Sequence, residues 1–471
     1  MKTIADPLYG SIQLRPIEAE IINTATFQRL HNVKQLGQAN LIFPGANYSR
    51  FSHSIGALRN AGKMLQALKA NDHSLSAQIE PVETKYRLAA LMHDIGHFPF
   101  SHATEGALKQ YKKDMDSEGY TGDRCEVISN HEAFGELIIM NSPEIQSILE
   151  KAGLDAADVA SVFASNDVGI NEGALNLKPI ISSELDCDRM DYLKRTSHFT
   201  GLPYGNVDID YLISNTRYIN GQICFAGKAK KSIDHMLLAR FHDYQQVVFH
   251  KKLIPLEWSL IECVKEAAHS RIIDVSQEQL IDRIQKGDIR GFDDNEIISA
   301  IKVLETHYNK RHNMQKANAY HINAVLYGAA AIQVCSFQEY IHGSELEVHI
   351  KARIEVEKIV EEYCTKQGID PDYVYLWSKE HYISKVPPSL LCSKDGLDSI
   401  PNKEELVFIT DLSYAEKPKP LIELPDSMIR ILAEQNLSDI RVFILPIDNH
   451  EQYVSELSQL IQQFFKDAYT Y

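Results

Sequence analysis

Cysteine is sparse and scattered in this chain. The seven residues, Cys125, Cys187, Cys224, Cys263, Cys335, Cys364 and Cys392, form no C-x-x-C pair. That spacing and the odd number speak against a zinc knuckle and a disulfide framework. Reduced, buried thiols in a cytosolic protein are the expectation. No apolar run reaches the ~20 residues that a membrane span needs. The opening MKTIADPLYG lacks the apolar core of a secretory signal. The expected location is therefore cytoplasmic, with no membrane partner. An excess of basic residues is missing too: 64 acidic against 48 basic side chains give a net charge of -16. That balance disfavours a broad nucleic-acid surface, single-stranded nucleic acid included. It leaves room for a local cationic pocket that binds a phosphorylated metabolite. No fixed-period repeat or low-complexity segment is present.

The composition is otherwise that of a soluble globular protein, 44% hydrophobic and 24% charged over 471 residues. Pro7 and Gly10 punctuate a short strand pair, and EAEIINTATFQRLHNVKQLG reads as helical up to Gly37. Helices are expected from Phe51 to about Leu68, from Val82 to Asp94, from Ser101 as a cap, over 130–140 and over 181–202. A long helical tract follows to about residue 273, broken near Pro255, and helical patterns continue over 276–340. After about residue 345, LEVHIKARI, EELVFITDL and IRVFILPID read as β-rich, KPKP (417–420) as an exposed connection, and 452–467 as an amphipathic helix. The fold class is mainly α. Residues 1–50 form an extended segment and helix, 51–340 a helical catalytic body, and 341–471 a smaller α+β lobe.

Chemistry concentrates between Arg50 and His102. His53 stands in RFSHSIGAL; His93, Asp94, His97 and His102 stand in LAALMHDIGHFPFSH. A lone His-Asp dipeptide means little, but this ordered set at a helix end can hold a divalent metal, with Gly96 and Pro99 opening space beside it. Imidazole suits Fe, Mn, Co or Zn. A further carboxylate ligand is expected from ELDCDRMDYL, and spacing alone does not choose among Asp186, Asp188 and Asp191.

The ordered strings DPLYGSIQL, FQRLHNVKQLG, FPGANYSRFSHSIG, LMHDIGHFPFSH, NHE and DCDRMDYL resemble the HD-superfamily deoxynucleoside triphosphate triphosphohydrolases. The resemblance runs from residue 2 to about residue 255. It implies an HD helical bundle with His53, His93, Asp94 and Asp188 as ligands of a divalent metal (Mn, Mg, Fe or Co). Asp191 becomes a supporting carboxylate. It implies release of deoxynucleoside and inorganic triphosphate from a nucleoside triphosphate. The metal would neutralise the phosphate and acidify a water, and a side chain would protonate the leaving oxygen. His102 with Glu105, His131 with Glu132, and His97 match the catalytic positions. Arg50, Arg189, Arg240 and Tyr192 match phosphate contacts, and Gln35 and Leu36 the sugar and base element. Two positions depart from the family: Thr196 replaces an Asp that holds the sugar 3′-hydroxyl, and Val248 replaces a Tyr on the sugar face, so acceptance of ribonucleotides stays open. Lys2, Gln28 and Arg29 match a nucleotide-activator site between subunits, with Asn23 and His31 replacing its guanine-reading Asp and an Arg. A homo-oligomer, a tetramer by preference, and a role in dNTP removal or antiviral defence are further implications. The alternatives are an HD-type phosphodiesterase or nuclease and a non-catalytic nucleotide sensor.

Overall fold

The Pro7–Gly10 turn closes an antiparallel hairpin, β1 (Lys2–Asp6) with β2 (Gly10–Leu14), in register from Lys2 opposite Leu14 to Asp6 opposite Gly10. Gly10 adopts φ +69°, which a glycine enters without a Cβ penalty. The computed structural model describes residues 2–117, 126–163, 175–311, 316–392, 406–410 and 417–468. Helix α1 (Pro16–Asn23) ends where the Thr24 hydroxyl accepts the Phe27 amide. The stretch up to Gly37 is therefore a series of short turns and not one helix.

Helix α2 (Arg50–Asn71) is the central post. It buries His53, Ile55, Leu58, Ala61, Met64, Leu65 and Leu68 on more than one side, as a helix surrounded by others must. Around it stand α3 (Glu83–Met92), α4 (His102–Ser117), α5 (His131–Asn141) and α6 (Cys187–Thr200). A Cβ at Gly56 would lie 1.8 Å from Asp191 Oδ1, so glycine there lets α6 come close. The expected helix over 181–202 is shortened, because the Asp186 carboxylate accepts the Ser183 and Arg189 amides and caps the helix at Cys187.

Helix α7 (Lys230–Asp243) passes through a π turn, Tyr244–Val248, before α8 (Leu253–His269). The break thus precedes Pro255, which sits in the first turn of α8, where a missing N–H leaves no bond unmade. Helices α9 (Asp294–Arg311) and α10 (Lys316–Tyr327) complete the body. Gly328, at φ +78°, ends the helical pattern short of residue 340.

The lobe is an antiparallel sheet in the order β5 (Ile332–His342), β9 (Gln435–Ile444), β6 (Val374–His381). Helices α11 (Leu346–Gln367) and α12 (His450–Ala468) accompany it. LEVHIKARI is therefore helix, not strand. Its alternation runs on into a Glu- and Lys-rich stretch, and Ala352, Val356, Tyr363 and Cys364 face the lobe core at helical spacing. Body and lobe interleave. A second sheet, β3 (Thr216–Ile219), β4 (Gln222–Ala226), β7 (Phe408–Thr410) and β8 (Lys419–Pro420), pairs β4 with β7 in parallel. KPKP accordingly ends in a strand. Cys125 lies outside the described residues; the other six cysteines are free thiols. Among the described residues no helix is long and apolar enough to cross a membrane.

Candidate metal centre and cleft

His53 projects from the first turn of α2 and His93 follows the end of α3, so two helices aim imidazoles at one point. His53 Nδ1 faces Asp191 Oδ2 at 2.8 Å, and His93 Nδ1 faces the Ala90 carbonyl at 2.9 Å. Both acceptors hold the ring proton on Nδ1, leaving each Nε2 with a lone pair. Those Nε2 atoms stand 3.3 Å apart, and Asp188 Oδ1 lies 3.0 Å from one and 3.7 Å from the other. Asp94 Oδ2 is 3.5 Å from His53 Nε2. His53, His93 and Asp188 bring one ligand atom each within 4.8 Å of one another, and carboxylates beside two imidazoles call for positive charge between them. Ligands ~2.1 Å from one ion would be roughly 3.0–3.4 Å from each other; the 3.0 and 3.3 Å separations fall in that range, and the 3.5 and 3.7 Å ones lie just above it. Burial alone would lower the His53 pKa, but in the metal-free chain its bonds to Asp188 and Asp191 push it up to about 10, so that a second ring proton occupies Nε2 until a cation takes its place. The site demands positive charge, and these residues fit a divalent metal.

A second histidine set adjoins the first. His97, His102 and His131 carry ring nitrogens within 4.8 Å of one another, and His97 stacks on His131 at 4.0 Å. Glu105 joins them: Oε2 lies 2.9 Å from His131 Nδ1 and 3.4 Å from His102 Nδ1, and Oε1 accepts Lys109 at 2.7 Å. Burial opposes the Glu105 charge, but these partners hold its carboxyl well below the usual range. His97 is pushed well down by burial and the nearby Arg50. It reaches Asp94 Oδ1 at 3.2 Å, linking the sets. Their spacing is set by backbone: a Cβ on Gly96 would lie 2.1 Å from both the His131 carbonyl oxygen and the Gly135 amide nitrogen. Phe100 and Ser101 adopt φ +53° and +57°, a sparsely populated region for side chains of this kind. The Ser101 hydroxyl accepts Arg50 Nε and donates to the Lys34 carbonyl, so it positions the arginine, while the helix starts at His102 directly after Ser101 and the Ser101 carbonyl accepts the Glu105 amide.

The metal residues open into a polar cleft of about 390 Å³ lined by Gln35, Leu36, Arg50, His102, His131, Glu132, Asp188, Arg189, Tyr192 and others. Arg50 pairs with Asp94 at 2.5 Å and Arg189 with Asp186 at 2.7 Å. Gln35, Leu36, His102 and Val248 also wall an apolar slot of about 120 Å³ that reaches Leu253, Glu257 and Leu260. Arg240 is set apart from the other expected contacts. It is buried, absent from the cleft wall, and donates to the Ile383 carbonyl at 2.8 Å. Thr196 is buried and bonded to the Tyr48 hydroxyl at 2.8 Å.

Arg29 corrects the expected activator site. Its side chain is fully buried and donates to the carbonyls of Ile95, His97 and Phe292, bracing the His-Asp turn. Asp243 and Lys385 line the cleft without any motif to mark them in the sequence. Asp243 stands near Tyr244 and the π turn, a backbone feature with no sequence signature. Lys385 arrives from the lobe, far along the chain.

The HD domain family model matches residues 50–196. The uncharacterized protein YwfO of Bacillus subtilis is 32% identical over 254 residues, 53% of this chain and 52% of that protein. The deoxynucleoside triphosphate triphosphohydrolase SAMHD1 of Homo sapiens is 29% identical over 276 residues, 53% of this chain and 42% of that protein. The chain spans about half the length of these curated relatives. A hypothetical protein from Aquifex aeolicus shares the fold at a TM-score of 0.67 and 24% identity, covering 97% of this chain and 99% of that one. A phosphohydrolase from Bacteroides thetaiotaomicron does so at 0.65 and 20%, covering 94% and 99%.

Proposed function

We propose, from the premise that this chain is an HD-superfamily protein, that it is a metal-dependent hydrolase of deoxynucleoside triphosphates, releasing deoxynucleoside and inorganic triphosphate. One observation carries the reading: the metal cleft and the apolar slot share a wall of Gln35, Leu36, His102 and Val248. A molecule with a polyanionic tail and an apolar head fits such a pair of spaces.

His53, His93, Asp94 and Asp188 would hold the cation. Bound there, a divalent metal supplies Lewis acidity toward a phosphoryl oxygen and acidifies water. Arg50, fixed by Ser101 and Asp94, and Arg189, fixed by Asp186, present planar donors to phosphate oxygens. Tyr192 adds a hydroxyl. Glu105 orients His102 and His131, so an imidazole can deliver a proton to the departing nucleoside oxygen. Glu132 lines the same wall. Val248 leaves the sugar face free of a hydroxyl-bearing ring. A homo-oligomer belongs to the same reading and is checked by light scattering.

Product analysis over a panel of dNTPs, NTPs and single-stranded DNA, with Mg, Mn, Co and Fe, tests the proposal. Inorganic triphosphate is the expected product. Pyrophosphate or monophosphates would overturn it in favour of a phosphodiesterase or nuclease.

A further inference from the structure

Lys385 is a lobe residue in the wall of the metal cleft, which Ser182, Asp186 and Arg189 also line. The segment that carries it is pinned to the body from two sides. Arg240 donates to the Ile383 carbonyl at 2.8 Å. Glu184, 2% exposed, accepts the Ser384 hydroxyl at 2.6 Å and the Lys385 amide at 2.5 Å, and its other oxygen accepts the Val407 amide at 3.4 Å. Ile383 and Val386 are buried in the core of the body. Glu184 lies two residues before Asp186, the partner of Arg189. The lobe segment and the Arg189 side of the cleft therefore rest on one short scaffold.

Charge explains what such a residue could do. The two arginines of the wall each face a carboxylate, and Asp188 lines the same space. A polyphosphate entering there meets acids as well as bases, so a further cation on a fixed backbone contributes directly to holding it. Lys385 lines the polar cleft and not the apolar slot. We propose that Lys385 binds the polyphosphate tail, so that the lobe supplies a binding residue and completes the cleft. The proposal rests on the reading of the cleft as a nucleoside polyphosphate site. An ammonium on a pinned backbone provides a mobile point charge suited to phosphate oxygens.

The test is titration calorimetry of the metal-loaded full chain with inorganic triphosphate, and separately with deoxynucleosides, for wild type, Lys385→Met and Lys385→Arg. Lys385→Met is expected to weaken triphosphate binding about tenfold, as loss of one charged hydrogen bond would. Deoxynucleoside binding should be unchanged, which also reports an intact fold, and Lys385→Arg should restore most of the affinity. Equal triphosphate affinity in Lys385→Met and wild type, equal weakening of both ligands, or no triphosphate binding by wild type would overturn the proposal. If wild type hydrolyses no nucleotide yet its triphosphate affinity depends on Lys385, the functional reading falls and this inference stands.

Discussion

The two histidine sets touch through Asp94 and His97 and are braced from behind in different ways. In the first, the Nδ1 protons of His53 and His93 point outward to Asp191 and the Ala90 carbonyl, so lone pairs and carboxylates converge inward. In the second, Glu105 faces the Nδ1 atoms of His102 and His131, so a carboxylate organises the imidazoles from one side. Both groups bring ligand atoms close enough to hold a cation; in the proposed function the first holds it and the second handles the proton. In both sets an acceptor at Nδ1 leaves Nε2 available; the difference is that separate acceptors serve the two imidazoles of the first set, while one carboxylate serves His102 and His131 in the second.

The sharpest way to break this contrast is Asp188→Ala. It should abolish stoichiometric metal in dialysed protein, read by elemental analysis, and lower kcat roughly 10³-fold or more. Full metal retention would erase the distinction between the sets. Glu105→Gln should keep the metal but lower kcat about 100-fold, the usual scale for a proton-handling group; parallel loss of metal would merge the two sets. Asp191→Asn acts from behind His53 and should weaken metal affinity about 10–100-fold, measured by competition with a chelator.

A smaller effect comes from Asp243, a buried carboxyl whose bond from the Tyr204 hydroxyl replaces the cationic partners that both sets enjoy. Burial pushes its pKa up to about 7. In an unfolded chain it titrates near ~3.9, so the native state binds its proton more tightly. Its favourable contribution is complete below that unfolded value and declines as pH rises toward 7. Asp243→Asn should flatten this slope, narrowing the fall in Tm between pH 5 and pH 8 by about 2–4 °C. An unchanged pH profile would show that Asp243 ionises as easily in the folded chain as outside it.

Much of the helical body was legible because its helices carry long apolar faces, caps and breaking residues. The His-Asp pair was legible because it sits at such a helix end. The choice among Asp186, Asp188 and Asp191 was not, since all three lie within two turns. The structure separates them by direction: Asp186 caps α6, Asp188 faces the imidazoles and Asp191 supports His53 from behind. Arg240 shows the converse problem. A guanidinium at the right place in the sequence is committed to Ile383, a residue that only tertiary packing brings near. LEVHIKARI misled because a few alternating β-branched residues say little without the thirteen residues that extend the helix to Gln367. Lys385 left no local trace, because its place depends on Glu184, some two hundred positions earlier.

The Gly96–Gly135 contact has a mechanical consequence. Because two main chains meet there without side chains, the gap between the two histidine sets is gauged by peptide bonds and not by rotamers. Side-chain motion leaves that gauge untouched. A single methyl at position 96 would instead wedge the two halves of the centre apart while every ionisable group remained in the chain.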